Sequence, residues 1–594
     1  MLVLKNTLNI FETMSGQRVS LQKSQIHFSK NVDYELAERL TMLAGIQSTT
    51  NLGRYLGVPS IHGRVTTNLF TPLMEIINSR LEGWKGKNLT LAGRVILAQS
   101  VLSATPYYMM QSMLLPKGVC DEIEKRIRNF VWGKGVYMVK WENVVLPKSK
   151  GGLGLRHIHQ MNLAFLAKMG RRLINESDSL WARTMKAKYI RSNDYMPDFT
   201  WKPGSSNLWR GICKVKDILA EGLRTRNDGK EKIYWSKESS GRFSVSSAYD
   251  LAMKTDDMGN DIGWKKIWKL RAPNKICLFL WLVKNKRIMT NGERRRRSFS
   301  MDSRCPGCDE QEEDVAHCIR NCTKAMEIWG VFLPRGACKN FFNMDFDSWL
   351  FMNISGRMKN HKEGDWSGLF ALVVWWIWRW RCNLAFRNES WEKRDKIRWL
   401  QEQNKERLRA FARSKAVEVK NMRPKIVTTG HEDWMYLHTD ATFTSPNEIT
   451  GCGGVLRNQR GEWIGGFSCL SRTSSATEGV LATVLIALQW AWDKGVKKIH
   501  IFSDSLTAIQ WIKSGPEPLG PCGDITRLCK ACLVKEWEIT LEHTPREFNQ
   551  VADSLAKIAP RRSCEWIELY TPPEEVRDIL SDECIWSFAT GRSN

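Results

Sequence analysis

No stretch of this 594-residue chain stays apolar long enough to cross a bilayer. The most apolar run, Leu369 to Trp378, is cut off by Arg379 and Arg381, well short of the roughly 20 residues a spanning helix needs. No secretory leader is expected either: Met1-Leu2-Val3-Leu4 runs straight into Lys5, with no apolar core behind it. Cysteine is too thin for a disulfide scaffold, with 16 residues scattered along the chain, so a reducing compartment is expected. Negative charge is in deficit: 63 Asp and Glu face 89 Lys and Arg, for a net +26. Such a balance points to a polyanionic partner, nucleic acid first and an anionic surface second. A phosphate loop is also lacking. Gly151-Gly152-Leu153-Gly154-Leu155 is followed by no Lys-Ser/Thr pair and reads as a turn. The expectation is an intracellular, non-secreted protein, in nucleus or cytoplasm, with no membrane partner.

Hydrophobic residues, at 42%, suffice for packed cores, and the length fits about three to five domains. Helical spacing dominates the first half: Leu73, Ile76, Ile77, Leu81 and Trp84, then Leu89 to Leu102, then Ile123 to Trp132. Gly241-Arg242-Phe243-Ser244-Val245 reads as a short strand entering a helix. Residues 336–430 are Trp-rich, then strongly charged; the tryptophans read as core packing rather than a base-stacking platform. Ile397 to Lys420 reads as a solvated helix leading to a linker at Met422-Arg423-Pro424-Lys425.

From Trp434 the pattern switches to strands, then to alternating helix and strand. Tyr436, His438 and Asp440 share one strand face. Gly453 to Arg457 and Glu462 to Phe467 flank a turn, a hairpin signal. In the helix from about Ala476 to Lys494, Glu478 lies on the side of Leu481, Ala482, Leu485 and Ile486. An inward carboxylate needs a partner, and a metal ion is one. Ile499 to Ser503 is an apolar strand ending in Asp504, with a helix from Leu506 to Lys513 behind it. That alternation implies a parallel pair, with Asp440 and Asp504 side by side at the carboxyl ends. After a strand from Trp537 to Glu542, the chain turns at Pro545 and enters a helix carrying Asp553.

These segments resemble the plant-type ribonuclease H domain of retroelement polyproteins. The resemblance is carried by Thr439-Asp440-Ala441, Gly453 to Arg457, Glu478, Ser503-Asp504-Ser505, His543 to Glu547, Asn549, Ala552-Asp553 and Leu555-Ala556. Ala441 stands where many members have Gly, and Thr477 where Ala often precedes the Glu; every ligand is kept. The resemblance implies an α/β domain with a mixed five-stranded sheet and helices. It implies four acidic ligands, Asp440, Glu478, Asp504 and Asp553, holding two Mg²⁺ or Mn²⁺ ions, with His543 assisting proton movement or product release. Two ions about 3.5–4 Å apart activate water and stabilise the leaving oxygen. The implied activity is endonucleolytic hydrolysis of the RNA strand of an RNA–DNA hybrid, leaving 3′-hydroxyl and 5′-phosphate ends.

A second cluster is Cys305-Pro306-Gly307-Cys308, then His317 and Cys322. A C-x2-C pair forms a knuckle, and a His and Cys beyond it complete a tetrahedron for one structural Zn²⁺. Cys318 reads as a bystander. Arg294 to Arg297, just before it, read as phosphate contacts or as a solvated charge run. With Leu270 to Lys275 and Trp329, the cluster resembles the zinc-binding region that follows plant reverse transcriptases.

Ser15 to Ser24, Tyr55 to Pro59, Leu81 to Trp84, Ala92-Gly93-Arg94, Phe130 to Gly133 and Trp235 to Tyr249 resemble, in order, the end of LINE-type (non-LTR) reverse transcriptases. The family's polymerase carboxylates fall upstream of Lys23, and the lone adjacent pair here, Asp256-Asp257, sits in a polar stretch. No reverse transcriptase activity is therefore expected of this chain. The expected order is a thumb-like reverse-transcriptase remnant at 1–150, a helical connector at 151–262, the zinc region at 263–335, a Trp-rich and charged helical linker at 336–430, the ribonuclease H domain at 431–562, and a tail at 563–594. The fold class is multidomain, mainly α with a zinc module, then α/β. A rival reading is a catalytically inactive, nucleic-acid-binding retroelement remnant.

Overall fold

The computed structural model describes residues 1–580, apart from 30, 62, 84–88, 134–135, 177, 191–196, 228–230, 255–260, 309–311, 334–335, 357–364, 388, 390–392, 422–432, 445–448 and 578. Trp84, the pair Asp256-Asp257 and the linker at Met422 to Lys425 lie outside the described residues. No described helix is long and apolar enough to cross a membrane. The chain forms two compact units. One comprises Met1–Gly170, Leu180–Lys216 and Ala252–Leu408; the other comprises Arg171–Ser179, Asp217–Leu251 and the chain from Arg409 onward.

The first unit is built from helices. Those used below are α1 (Asn274–Lys284), α2 (Asn291–Arg296), α3 (Thr323–Phe332), α4 (Phe346–Ile354), α5 (Trp366–Arg387) and α6, which starts at Lys393 within Lys393–Asn421. In α1, Ile276 to Trp281 and Val283 are all buried. In α5, Leu369 to Val374 are buried without a break. Helices apolar on every side must sit inside a core, and these two share one with Trp329 of α3 and Trp349 of α4. The Trp329 indole donates to the Ile319 carbonyl at 2.9 Å, so even this central aromatic leaves no polar atom stranded.

The second unit is built around one sheet. Its strands are β1 (Met435–Thr444), β2 (Ile449–Arg457), β3 (Trp463–Arg472), β4 (Lys498–Ser503), β5 (Glu538–His543) and β6 (Trp566–Leu569). Its helices are α7 (Ala476–Asp493), α8 (Leu506–Lys513), α9 (Pro521–Leu533), α10 (Gln550–Leu555) and α11 (Ile558–Arg562). The strand order is β5-β4-β1-β2-β3-β6. β4 runs parallel to both β1 and β5, while β1, β2, β3 and β6 pair antiparallel. The mixed sheet expected from sequence is present, with a sixth strand added. Trp566 pairs with Cys469 and stacks on Phe467 at 5.5 Å, which covers the open edge of β3.

Leu437, Leu456, Phe467, Ile499 and Ile501 from the strands share one core with Leu481, Val484 and Leu488 of α7. Val455 shares a second with Val551, Leu555 and Ile558 of α10 and α11. His438 and Val455 are register partners, as are Leu437 and Leu456. Alternation along the strands therefore assigns the two helix layers to opposite faces.

Two local readings change. Leu223–Asn227 and Glu231–Trp235 form a hairpin that no helical period announced. Gly241 to Ser244 are not a strand: Ser244 accepts from the Ser247 N–H at 3.0 Å and caps the helix Val245–Met253.

Candidate metal centres

In the first unit, Cys305, Cys308, His317 and Cys322 place one ligand atom each within 4.8 Å of all the others. The Cys305 and Cys322 sulfurs are 3.7 Å apart, and Cys308 Sγ lies 3.4 Å from His317 Nε2. A tetrahedral Zn²⁺ with bonds of about 2.3 Å to sulfur and about 2.0 Å to nitrogen would separate its ligands by about 3.8 Å and about 3.5 Å, so the donors fit that ion. Gly307 makes the knuckle possible, because a Cβ there would stand 2.9 Å from Cys322 Sγ. The contact with Cys305 holds the Cys322 thiol down to about 7, and the same contact pushes Cys305 up to about 12. His317 rises to about 9, mainly through its contact with Cys305. Cys318, buried, stands outside the group, as expected.

A buried ion pair braces this loop. Glu313, fully buried, accepts from Arg381 Nε of α5 at 2.7 Å, and its other oxygen is bound by Arg381 Nη2. Asn291 completes the network: its N–H donates to Glu313 at 2.6 Å, and its side-chain oxygen accepts from Arg381 at 2.9 Å. Sequence reading missed this pair, since 68 residues separate the partners. The Arg294 to Arg297 run is drawn into the fold. Arg296 and Arg297 bind Glu293, Arg295 donates to Ser303 Oγ at 3.1 Å, and Arg294 lies 4.9 Å over the Phe386 ring. Those two arginines hold the Glu293 carboxyl down to about 2.

In the second unit, register delivers the acids to one end of the sheet. Thr439 pairs with Ser503, and Ser503 with His543, across three parallel strands. Asp440 and Asp504 each follow by one residue, so they stand side by side where β1 and β4 stop pairing. Asp553 arrives on α10. That helix lies directly on β2, because a Cβ on Gly453 would meet the Ala556 backbone nitrogen at 2.3 Å and one on Gly451 the Ala556 carbonyl at 2.0 Å. Gly453 is the register partner of Asp440. Asn549, just before α10, donates to the Thr439 carbonyl at 3.0 Å and ties the helix to the end of β1.

Asp440 is buried. One carboxylate oxygen accepts from the Ala441 N–H at 2.7 Å, while Oδ2 has no hydrogen-bond partner among the described residues. Burial and then the charge of Asp504 push this carboxyl up to about 7, with Asp553 adding to the rise and the Ala441 N–H opposing it. The charges of Asp504 and Asp553 thus reach the Asp440 carboxyl.

Glu478 is held differently. It accepts from Ser474 N–H at 2.9 Å and from the Ser474 hydroxyl, while Ser475 Oγ accepts the Glu478 N–H at 3.2 Å. This is a helix-capping arrangement close to a capping box. His543 ends β5, exposed, with no hydrogen bond to the acids among the described residues. Cations already attend two of the acids: Lys557 pairs with Asp553, and Arg546 Nε lies 3.8 Å from Asp504. The four carboxylates do not gather around one point as tightly as the thiols do; among the described residues, only the Cys/His group closes that far. Lys557 was legible as an i+4 partner of Asp553, whereas Arg546 and Asn549 acquire their roles through the fold.

Residues 438–559 match the reverse transcriptase-like family, and residues 243–329 match the family described as zinc-binding in reverse transcriptase. A protein of Arabidopsis thaliana provisionally named a ribonuclease H protein is 28% identical over 618 residues, covering 89% of this chain and 99% of its own. An uncharacterized mitochondrial protein of the same plant is 29% identical over 139 residues, covering 22% of this chain and 90% of its own. Among solved structures, ribonuclease H1 of Halobacterium salinarum is 17% identical, with a TM-score of 0.21, covering 22% of this chain and 98% of that one. LC11 ribonuclease H1 in complex with an RNA/DNA hybrid is 16% identical, with the same TM-score of 0.21 and the same shares of 22% and 98%.

Proposed function

We propose that this chain, whose two matched regions and Arabidopsis relative fit a plant retroelement protein, is a divalent-metal-dependent endonuclease acting on the RNA strand of RNA–DNA hybrids. The observation that carries the reading is the Asp440 carboxylate. It is buried, one oxygen lacks a hydrogen-bond partner among the described residues, and the charges of Asp504 and Asp553 bear on it. A buried anion among anions is costly unless a cation neutralises it. Hard carboxylate oxygens suit Mg²⁺ or Mn²⁺.

Asp440, Asp504 and Asp553 would hold the ions, and Glu478 would join them by releasing Ser474. Bound divalent ions supply an activated water and stabilise the leaving oxygen. The chain's own residues do the rest. Burial keeps Asp440 in one orientation, Asn549 fixes the end of β1, and Arg546, exposed beside Asp504, offers a cation to a neighbouring phosphate. His543, exposed at the same end, is available to carry a proton. The Cys/His cluster is closed by four protein ligands and so has a structural role, supporting the unit that contains it.

The test is the full chain with an end-labelled hybrid and Mg²⁺. Cleavage is expected, with Asp440→Asn and Asp504→Asn each reducing it by at least about 100-fold, more than loss of a supporting residue costs, while hybrid binding persists. A second reading, a binding module that no longer cuts, draws on Lys557 and Ser474 occupying two of the acids. Tight hybrid binding with no cleavage at any Mg²⁺ or Mn²⁺ concentration would establish that alternative.

A further inference from the structure

Beyond the buried Trp366, the four other tryptophans of α5 divide into two sets. Trp375 and Trp378 pack on Phe279 of α1 at 5.2 and 5.9 Å and complete the core. Trp376 and Trp380 lie one turn apart, with ring centroids 5.7 Å from each other, and Trp376 meets Trp399 of α6 edge-on at 5.3 Å. This second cluster reaches the surface: Trp376 and Trp380 are half-buried, and Trp399 is 45% exposed. Leu400, the next residue, is fully buried, so α6 is anchored while it holds Trp399 outward.

Cations decorate the cluster. Lys396 Nζ lies 5.4 Å over the Trp380 ring, whereas the exposed Arg379, next to Trp380 in sequence, lies 6.0 Å over Trp375 of the core set. Arg394 and Arg398 are exposed on the same turns of α6. Two acids stand nearby. Asp395 is exposed, and Glu402 pairs with Lys405 at 3.0 Å. Aromatic rings alone would mark a protein-docking face. Rings with an ammonium group above one of them and exposed arginines on the neighbouring turns, on a chain of net charge +26, have the chemistry of a stacking platform for nucleic acid.

We propose that Trp376, Trp380 and Trp399, with Lys396, form a binding site for single-stranded nucleic acid. The rings supply faces for unpaired bases, and the cations face the phosphates. A duplex cannot use the faces, because its bases already stack on each other. The site lies in the helical unit and stands apart from the hybrid-cleavage reading, so either can fail alone.

The experiment uses the full chain and fluorescent 20-nucleotide oligo(U) and oligo(dT), with a DNA duplex of equal length as control. Trp399→Ala is expected to weaken single-strand binding by about tenfold, leave duplex binding unchanged, and keep the salt slope. Trp399→Phe, which keeps an aromatic face and the fold, should recover most of the loss. Lys396→Ala should lower the salt slope by about one. Comparing oligo(U) with oligo(dT) tells whether the sugar matters. Single-strand affinity of Trp399→Ala equal to that of the unmodified chain would overturn the proposal and leave a protein-docking face. Equal losses on single strand and duplex would overturn it as well.

Discussion

The Cys/His cluster and the carboxylate constellation were both legible as metal sites, yet the fold treats them differently. The thiols and imidazole close to within 4.8 Å of one another. Asp440, Asp504 and Asp553 reach the same end of a sheet, yet the acids turn to separate partners: a serine for Glu478, a lysine for Asp553, an arginine near Asp504. The Cys305 thiol donates to Cys322 and Cys308 meets the His317 imidazole, so shared protons draw these groups together. Carboxylates repel, and each remains apart until a cation neutralises the group. The Cys/His group is closed by the chain itself, whereas the carboxylates are left beside cationic or hydroxyl partners.

The comparison can be broken, beginning with its largest expected effect. Cys322→Ser should abolish zinc binding, taking elemental analysis from about one zinc per chain to none, and should make the helical unit sensitive to protease. Unchanged zinc content would remove Cys322 from the ligand set. Next, Arg381→Met strands the buried Glu313 and should cost about 3–5 kcal/mol, read as a lower unfolding temperature of the helical unit with zinc retained at first. An effect below about 1 kcal/mol would mean that solvent reaches Glu313.

A smaller effect sharpens the carboxylate side. The folded Asp440 carboxyl titrates at about 7 against an ordinary value of 3.8, so folding favours its neutral form. Its contribution is fully present below about pH 4 and is lost as pH rises through about 7. In Mg²⁺-free buffer, Asp440→Asn should therefore unfold about 2–4 °C higher than the unmodified chain above pH 7, with the gap closing toward pH 4. A gap that is the same at every pH would contradict the crowded-acid picture. Smallest of all, Lys557→Met frees Asp553 from a partly exposed pair and should lower the Mn²⁺ concentration needed for half-saturation by about two- to fivefold, measured by calorimetry. An increase instead would make Lys557 a support of the site rather than a competitor.

Much of the second unit could be read before it was seen. The strand leading into Asp504, the helix carrying Glu478 and the helix carrying Asp553 stand where alternation and helical spacing put them, whereas β1 runs four residues past Asp440 to Thr444, because its pairing with β2 continues there. Those signals are local, set by which side of a strand or helix each residue occupies. The hairpin at Leu223–Trp235 was not legible because its strands are charged and short, and the β6 strand because nothing local marks an edge partner. The tryptophans were read as core; periodicity does not distinguish a ring that finishes a core from one that leaves it.

By itself, the sequence determined the ligand types, their spacing and the chemistry each set can support, because side-chain identity and short-range spacing suffice for those. The tertiary structure alone decided that Gly451 and Gly453 let α10 lie against β2, that Arg381 reaches Glu313 across 68 residues, and that Trp399 faces outward. Each of these depends on which distant backbones come within a few ångströms of one another, and close packing of a whole unit sets that distance.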